Sequence, residues 1–164
     1  MARRIEHQTT STWPVQDVFK ALVDESYLRD RLAVLGGTDP QLVSFSSTDG
    51  KASYQLKQGV SAEHLPSVAK GLLGGDLVIH RAEVWTEAGT TGTVEVTLTG
   101  VPGRLDGTIV LAEHASGSRM TLTGQVKVSI PLMGGKLETM IAEQVTKLLD
   151  KENEFTTEWL ANRG

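Results

Sequence analysis

Two hydrophobic periods divide this chain. Across 41–130 apolar and polar residues largely alternate, as in a half-buried strand, while 14–35 and 136–160 repeat about every 3.6 residues, as in an amphipathic helix. The opening "RRIEHQTTS" (3–11) is polar, but Thr9 and Thr10 favour extended backbone and predict a first strand. "TWPVQDVFKALVDE" then predicts a helix. Pro14 suits its first position, with Thr12 or Trp13 as cap, and Val15, Val18, Phe19 and Leu22 share one face. "ESYLRDRLAVLGG" predicts a second short helix, with Tyr27, Leu28, Arg31 and Leu32 recurring at helical intervals and Gly36 and Gly37 ending it.

After Pro40, "QLVSFSS" reads as a strand with Val43 and Phe45 on one side, "TDG" (48–50) as a turn, and "KASYQLKQ" as the paired strand. Ala52, Tyr54 and Leu56 share one face of that second strand. The following "SAEHLPSVAKGLLGGD" is irregular, with room for a helical turn over 67–73. Strands are then predicted over 77–85, 91–100, 104–113 and 119–130, separated by "EAGT", "VPG" and "ASG". Such short separators force antiparallel neighbours, because a parallel crossover needs about a dozen residues. In the last strand Met120, Leu122, Val126, Val128 and Ile130 form a dry face opposite Thr121, Thr123, Gln125, Lys127 and Ser129. Gly107 and Gly124 inside strands predict sharp bends or bulges. Only the strand 77–85 leaves its orientation open. One parity groups His80 with Val78, Ala82 and Val84; the other groups Leu77, Ile79, Arg81, Glu83 and Trp85.

The final helix, 136–160, would span close to ~40 Å at about 1.5 Å per residue. Leu137, Ile141, Val145, Leu148, Phe155 and Trp159 form its apolar stripe, broadened by Met140, Gln144 and Leu149. Gln144 and Glu152 could each be an interior hydrogen-bonding group or the edge of the stripe, and for Glu152, which interrupts it, the exposed helix end is the expectation. Glu143, Lys147, Asp150, Lys151, Glu154 and Glu158 form the solvated side, with Glu143 and Lys147 at pairing distance i,i+4. A long amphipathic helix after a bent, one-sided antiparallel sheet predicts an α+β fold of one domain over 1–164. In it a curved sheet of about seven strands wraps around the C-terminal helix, with two short helices after the first strand.

Composition narrows the chemistry. The chain has 164 residues, 39% of them apolar, and no cysteine, which excludes disulfides, thiolate nucleophiles and Cys-based metal centres. The net charge of −4 argues against a nucleic-acid footprint. "MARRIEHQTT" carries no apolar run after its arginines, and no window approaches the ~20 apolar residues of a spanning helix. A cytoplasmic protein without stable membrane insertion is the expectation. "LMGGKLE" departs from a phosphate loop, since Leu137 follows Gly135-Lys136 and Ile130 stands where the first glycine belongs. His7, His64, His80 and His114 lack paired ligand spacing, so neither a metal nor another cofactor is expected.

The element order, together with "HRAEVW" (80–85), "VSIPLMGGKLETMIAEQV" (128–145) and "EFTTEWL" near the end, resembles the START-like, helix-grip (SRPBCC) superfamily of polyketide cyclase/dehydrase and lipid-transfer proteins. The local motifs are most similar to a bacterial family within it, domain of unknown function 2505. The resemblance implies a cavity between sheet and final helix that holds an apolar or amphipathic small molecule, without implying one chemistry. The expected function is binding or transport of a hydrophobic small molecule or lipid. Its lining is expected from the strands at Tyr54, His80, Val84, Val96, Leu98, Ile109, Leu122 and Val126, and from the helix at Leu137, Met140, Ile141, Gln144, Val145 and Leu148. The alternatives are a cyclase, dehydratase or hydrolase using His80, Tyr54 or Arg81 in proton transfer or oxyanion binding, and an interaction module whose interior is filled by side chains. Plainer roles are also open: His80 and Tyr54 as satisfied structural groups, and Arg81–Glu83, a pocket ion pair able to bind a carboxylate if their face is inside, as an exposed pair beside an edge tryptophan.

Overall fold

Glycine-bearing turns too short for a crossover leave the strands one solution, an antiparallel meander. The computed structural model describes residues 2–65 and 67–163. Its elements run β1 (Arg3–Ser11), α1 (Val15–Leu22), α2 (Glu25–Leu35), β2 (Gln41–Thr48), β3 (Lys51–Val60), α3 (Ser67–Leu73), β4 (Leu77–Thr86), β5 (Thr91–Leu98), β6 (Val101–His114), β7 (Gly117–Val128) and α4 (Gly134–Arg163). The strands form one seven-stranded sheet in the order β1-β7-β6-β5-β4-β3-β2, with every neighbouring pair antiparallel. The chain leaves one edge of the sheet at β1, crosses through α1 and α2, enters the other edge at β2, and returns strand by strand until β7 pairs with β1. The sheet wraps around α4, which is the helix-grip arrangement.

Each helix is cut out by local chemistry. Pro14 is itself the cap of α1, extended at ψ 155°, so the helix starts one residue later than the proline signal predicts. Asp24 caps α2 by accepting a hydrogen bond from the Tyr27 amide at 3.1 Å. The helical faces read from spacing are the buried ones: Val18, Phe19 and Leu22 on α1; Tyr27, Leu28, Arg31 and Leu32 on α2.

In β2, Leu42 and Phe45 face inward and Val43 is 49% exposed, contrary to the expected pairing of Val43 with Phe45. A bulge between Leu42 and Ser44 inserts one residue and reverses the parity beyond it. The strand β7 ends at Val128, so Ile130 lies outside its dry face, and α4 begins at Gly134 rather than Lys136.

Gly107 and Gly124 face each other across β6 and β7, and Gly124 also pairs with Ile5 of β1. A Cβ at Gly124 would come within 2.8 Å of the Gly107 Cα, so β6 and β7 approach too closely there for a side chain. Gly124→Ala therefore overpacks backbone against backbone. It should cost about 1–3 kcal/mol and lower Tm by about 3–10 °C in a thermal melt, with the fold retained.

Candidate functional site: a cavity under the C-terminal helix

The helix α4 meets the rest of the molecule in two ways along its length. Its second half is fastened: Asn153 Nδ2 donates to the Thr10 carbonyl at 2.9 Å, Tyr27 and Thr156 share a 2.6 Å hydrogen bond, and Trp159 Nε1 donates to Asp30 at 2.9 Å. Tyr27 also packs edge-on against Trp159, with ring centroids 5.1 Å apart. The first turn is pinned at one point, where the buried Glu138 carboxylate accepts the Val128 amide at 2.8 Å. Between these anchorages the helix spans a cavity of about 320 Å³.

The cavity walls follow from strand register. Arg81 lies opposite Leu56 of β3 and Val96 of β5, and Ile79 lies opposite Gln58 and Leu98, so the odd positions of β4 share the inner face. The sheet contributes Ile79, Val94, Val96, Leu98, Leu105, Ile109 and Leu122 to the lining. The helix contributes Leu137, Met140, Ile141, Gln144, Val145 and Leu148, and Leu65 and Ala69 add apolar surface from the β3–β4 connection. Gln144 is solvent-exposed, which places it at the mouth with His64, Lys147 and Lys151.

Four residues expected at the lining lie elsewhere. His80 is on the outer face of the sheet, where its Nε2 pairs with Thr99 Oγ1 at 2.9 Å, and Val84 shares that face. Tyr54 and Val126 are buried in the core and do not border the cavity. The β4 parity was ambiguous because both of its faces are apolar. It is decided by the partners available inside: Arg81 and Glu83 are 7% and 2% exposed, and both find counter-charges.

Periodicity offered Arg81 and Glu83 as an inward pair but not the partners that other elements bring to them. Arg81 donates through Nε to Glu83 at 2.6 Å and through Nη1 and Nη2 to Glu152 at 2.7 and 3.1 Å. Glu83 Oε1 also accepts from the Tyr54 hydroxyl at 3.0 Å and from Trp85 Nε1 at 2.9 Å. Arg31 of α2 approaches Glu152 at 3.6 Å. Glu152, which its sequence position assigned to the exposed helix end, is 4% exposed. Burial pushes the Glu152 carboxyl up, but the guanidiniums of Arg31 and Arg81 outweigh it and hold the pKa below the ordinary carboxylate range. Burial, reinforced by Glu83, raises the Tyr54 phenol well above its ordinary value, so Tyr54 is a neutral donor. Two arginines and two glutamates make a balanced set with no net charge.

Polar groups remain around this network. Gln58 lines the cavity at 4% exposure, and its Oε1 has no hydrogen-bond partner among the described residues. Arg31 Nε and Nη2 and Thr9 Oγ1 likewise lack partners. Arg31 and Thr9 border a second space of about 20 Å³, on the order of one water molecule in size. Among the described residues no group of three or more His, Cys, Asp or Glu side chains is arranged to hold a metal ion.

A curved antiparallel sheet gripping one long helix, with a hollow between them, is the helix-grip fold. The chain matches the family described as "Protein of unknown function (DUF2505)" over residues 6–160, and it belongs to that family. The uncharacterized proteins Rv0481c of Mycobacterium tuberculosis and Mb0491c of Mycobacterium bovis are each 33% identical to it over 172 residues, covering 99% of both chains. Among solved structures, TTHA0849 from Thermus thermophilus superposes with a TM-score of 0.67 at 15% identity, covering 99% of each chain. The ZhuI aromatase/cyclase from Streptomyces sp. R1128 gives 0.67 at 11%, covering 99% of this chain and 96% of that one. A START superfamily protein from Mycobacterium smegmatis gives 0.57 at 13%, covering 92% and 97%. At such identities these structures share the fold. No helix among the described residues is long and apolar enough to cross a membrane.

Two expectations follow. Glu152→Gln leaves two buried guanidiniums short of charge and should cost about 3–5 kcal/mol in urea unfolding. Because its folded pKa is depressed, wild-type Glu152 contributes stability above the unfolded carboxylate value of about 4.3. That contribution is lost as pH falls through the lower folded value, and the variant's acid unfolding should lack this component. Conversely, Gln58→Leu removes a buried unpaired carbonyl and should stabilise the ligand-free protein by about 1 kcal/mol, seen as a higher urea midpoint.

Proposed function

We propose that this protein binds, and by binding transports, a hydrophobic small molecule or lipid in the cavity between the sheet and α4. The observation that carries the reading is the cavity itself: about 320 Å³ of space walled mainly by Val, Leu and Ile side chains. Protein interiors are ordinarily packed to crystal-like density with few voids larger than a water, so a hollow of this size has a use. It falls at the lower end of the range of about 300–1,000 Å³ typical of small-molecule sites. An apolar guest would gain roughly 25 cal/mol per Å² buried, less the cost of association.

Carriage is favoured over catalysis by what borders the space. His80, the first candidate for proton transfer, lies on the outer face of the sheet. Arg81 is committed to Glu83 and Glu152, and Tyr54 is held by Glu83. The remaining polar side chains are the amides of Gln58 and Gln144, the lysines at the mouth and the exposed His64 imidazole, 3.6 Å from Glu63; the amides and lysines are suited to orienting a guest. A module acting only through its surface would have no need of the hollow.

Native mass spectrometry of freshly purified protein should show a small-molecule adduct. Filling the space with Val96→Phe and Ile141→Phe together should remove that adduct and abolish uptake of a neutral solvatochromic dye, while the melting transition persists. An adduct that survives the filled cavity, or a wild-type protein that takes up neither lipid nor dye, would overturn the reading.

A further inference from the structure

Acidic residues outnumber basic ones in this chain, 20 to 16, yet among the described residues no Asp or Glu borders the cavity. The charged or titratable residues that do are Arg81, His64, Lys147 and Lys151. Arg81 is neutralised inside the protein by Glu83 and Glu152, and exposed His64 stands 3.6 Å from Glu63. The two lysines are different. They stand one turn apart on α4, both are exposed, and neither has a carboxylate within 4.0 Å among the described residues. Spacing alone pairs Lys147 with Glu143, but that ion pair is not formed, and Lys147 lines the mouth instead. The result is a polarised container, with two uncompensated cations at the opening and a neutral, apolar interior beyond.

We infer that the guest is a single-chain amphiphile with an anionic oxygen head, a carboxylate or a phosphate monoester, held between Lys147 and Lys151 while its alkyl tail fills the cavity. This rests on the cavity-binding reading above and adds the head chemistry and its polarity. The modest volume suits one chain. The lysines, as flexible point charges on apolar stems, can cover the upper part of the tail with their methylenes and meet either anion with their ammonium groups. The head remains at the surface, so no charge is desolvated without a partner. Against the net charge of −4, the cavity lining meets an anion with Lys147 and Lys151 and, among the described residues, with no carboxylate.

The test is calorimetric titration of the intact chain with dodecanoate, dodecyl phosphate, dodecanol and dodecyltrimethylammonium, each below its micellar concentration. At low salt the two anions should bind about tenfold tighter than the alcohol, and the cation weaker than the alcohol. Shortening dodecanoate to decanoate should weaken binding roughly tenfold, because two methylenes leave the cavity. In about 1 M NaCl the preference for anions should collapse, since screening then acts within about 3 Å. Lys147→Gln with Lys151→Gln, exposed substitutions checked by an unchanged melting curve, should bring the anions down to the level of the alcohol. A preference for only one of the two anions would identify which head the site takes. Equal binding of dodecanol and dodecanoate, or a preference surviving the double substitution, overturns the inference and leaves cavity binding intact. Failure of all four to bind overturns both.

Discussion

The structure turns on one ion pair, Arg81 of β4 with Glu152 of α4, joined through two hydrogen bonds of 2.7 and 3.1 Å. Neither charge could be buried alone, because the cost of stripping water from an isolated ion exceeds what packing returns. Arg81 can point inward only if the helix brings Glu152 to it, and Glu152 can interrupt an apolar stripe only if the sheet offers Arg81. Glu83 then takes the remaining face of the guanidinium and is itself held by Tyr54 and Trp85. Arg31 brings α2 into the same cluster. A helix sliding along a purely apolar groove has many near-equivalent positions; one carrying Glu152 at this point has far fewer. The value of such a network lies more in specifying the docking than in net stability.

The same constraint explains why there is a cavity and where it lies. From Glu152 onward the helix is drawn onto β1 by Asn153 and onto α2 by Thr156 and Trp159. Toward its N-terminus it is held again by Asp150, which meets His7 of β1 at 2.8 Å, and by Glu138 at the end of β7. A rod of 30 residues, about 45 Å long, held at separated points across a curved sheet cannot follow the curvature between them. The space left over is the hollow. Gly107 and Gly124 stand opposite each other in an unbroken register, so β6 and β7 meet there backbone against backbone. Polar network and apolar cavity are therefore adjacent consequences of one geometry, with Arg81 on the boundary between them.

This geometry also separates what each face of α4 does. The buried positions Glu138, Ala142, Glu152 and Thr156 dock the helix, and buried Leu149 also borders the hollow. Their neighbours Leu137, Met140, Ile141, Val145 and Leu148 look into the hollow. Periodicity merges these two stripes, because a 3.6-residue repeat separates water from interior and not packed interior from empty interior. Lys147 and Lys151 show the converse: their sequence pattern assigns them to a solvated face, and only the curvature of the opposing sheet makes that face the lip of a cavity.

The alternation in β3, β5 and β7, the glycine-marked turns and the long terminal amphipathic stretch were enough to determine an antiparallel sheet gripping a helix, because these signals are local and repeat with the period of the backbone itself. The inner residues of the helix were legible for the same reason. Local signals could not decide the parity of 77–85, where both faces are apolar, or the bulge at Leu42–Ser44, which shifts register by one residue and exposes Val43. Nor could they place Glu152 inside. A buried charge is tolerated only with its partner, and the partner of Glu152 lies 71 positions away on another element. Sequence determined which elements form and which of their faces are dry. Tertiary structure decided which charges go inside together and where the packing leaves room, because both depend on groups that only the folded chain brings within reach.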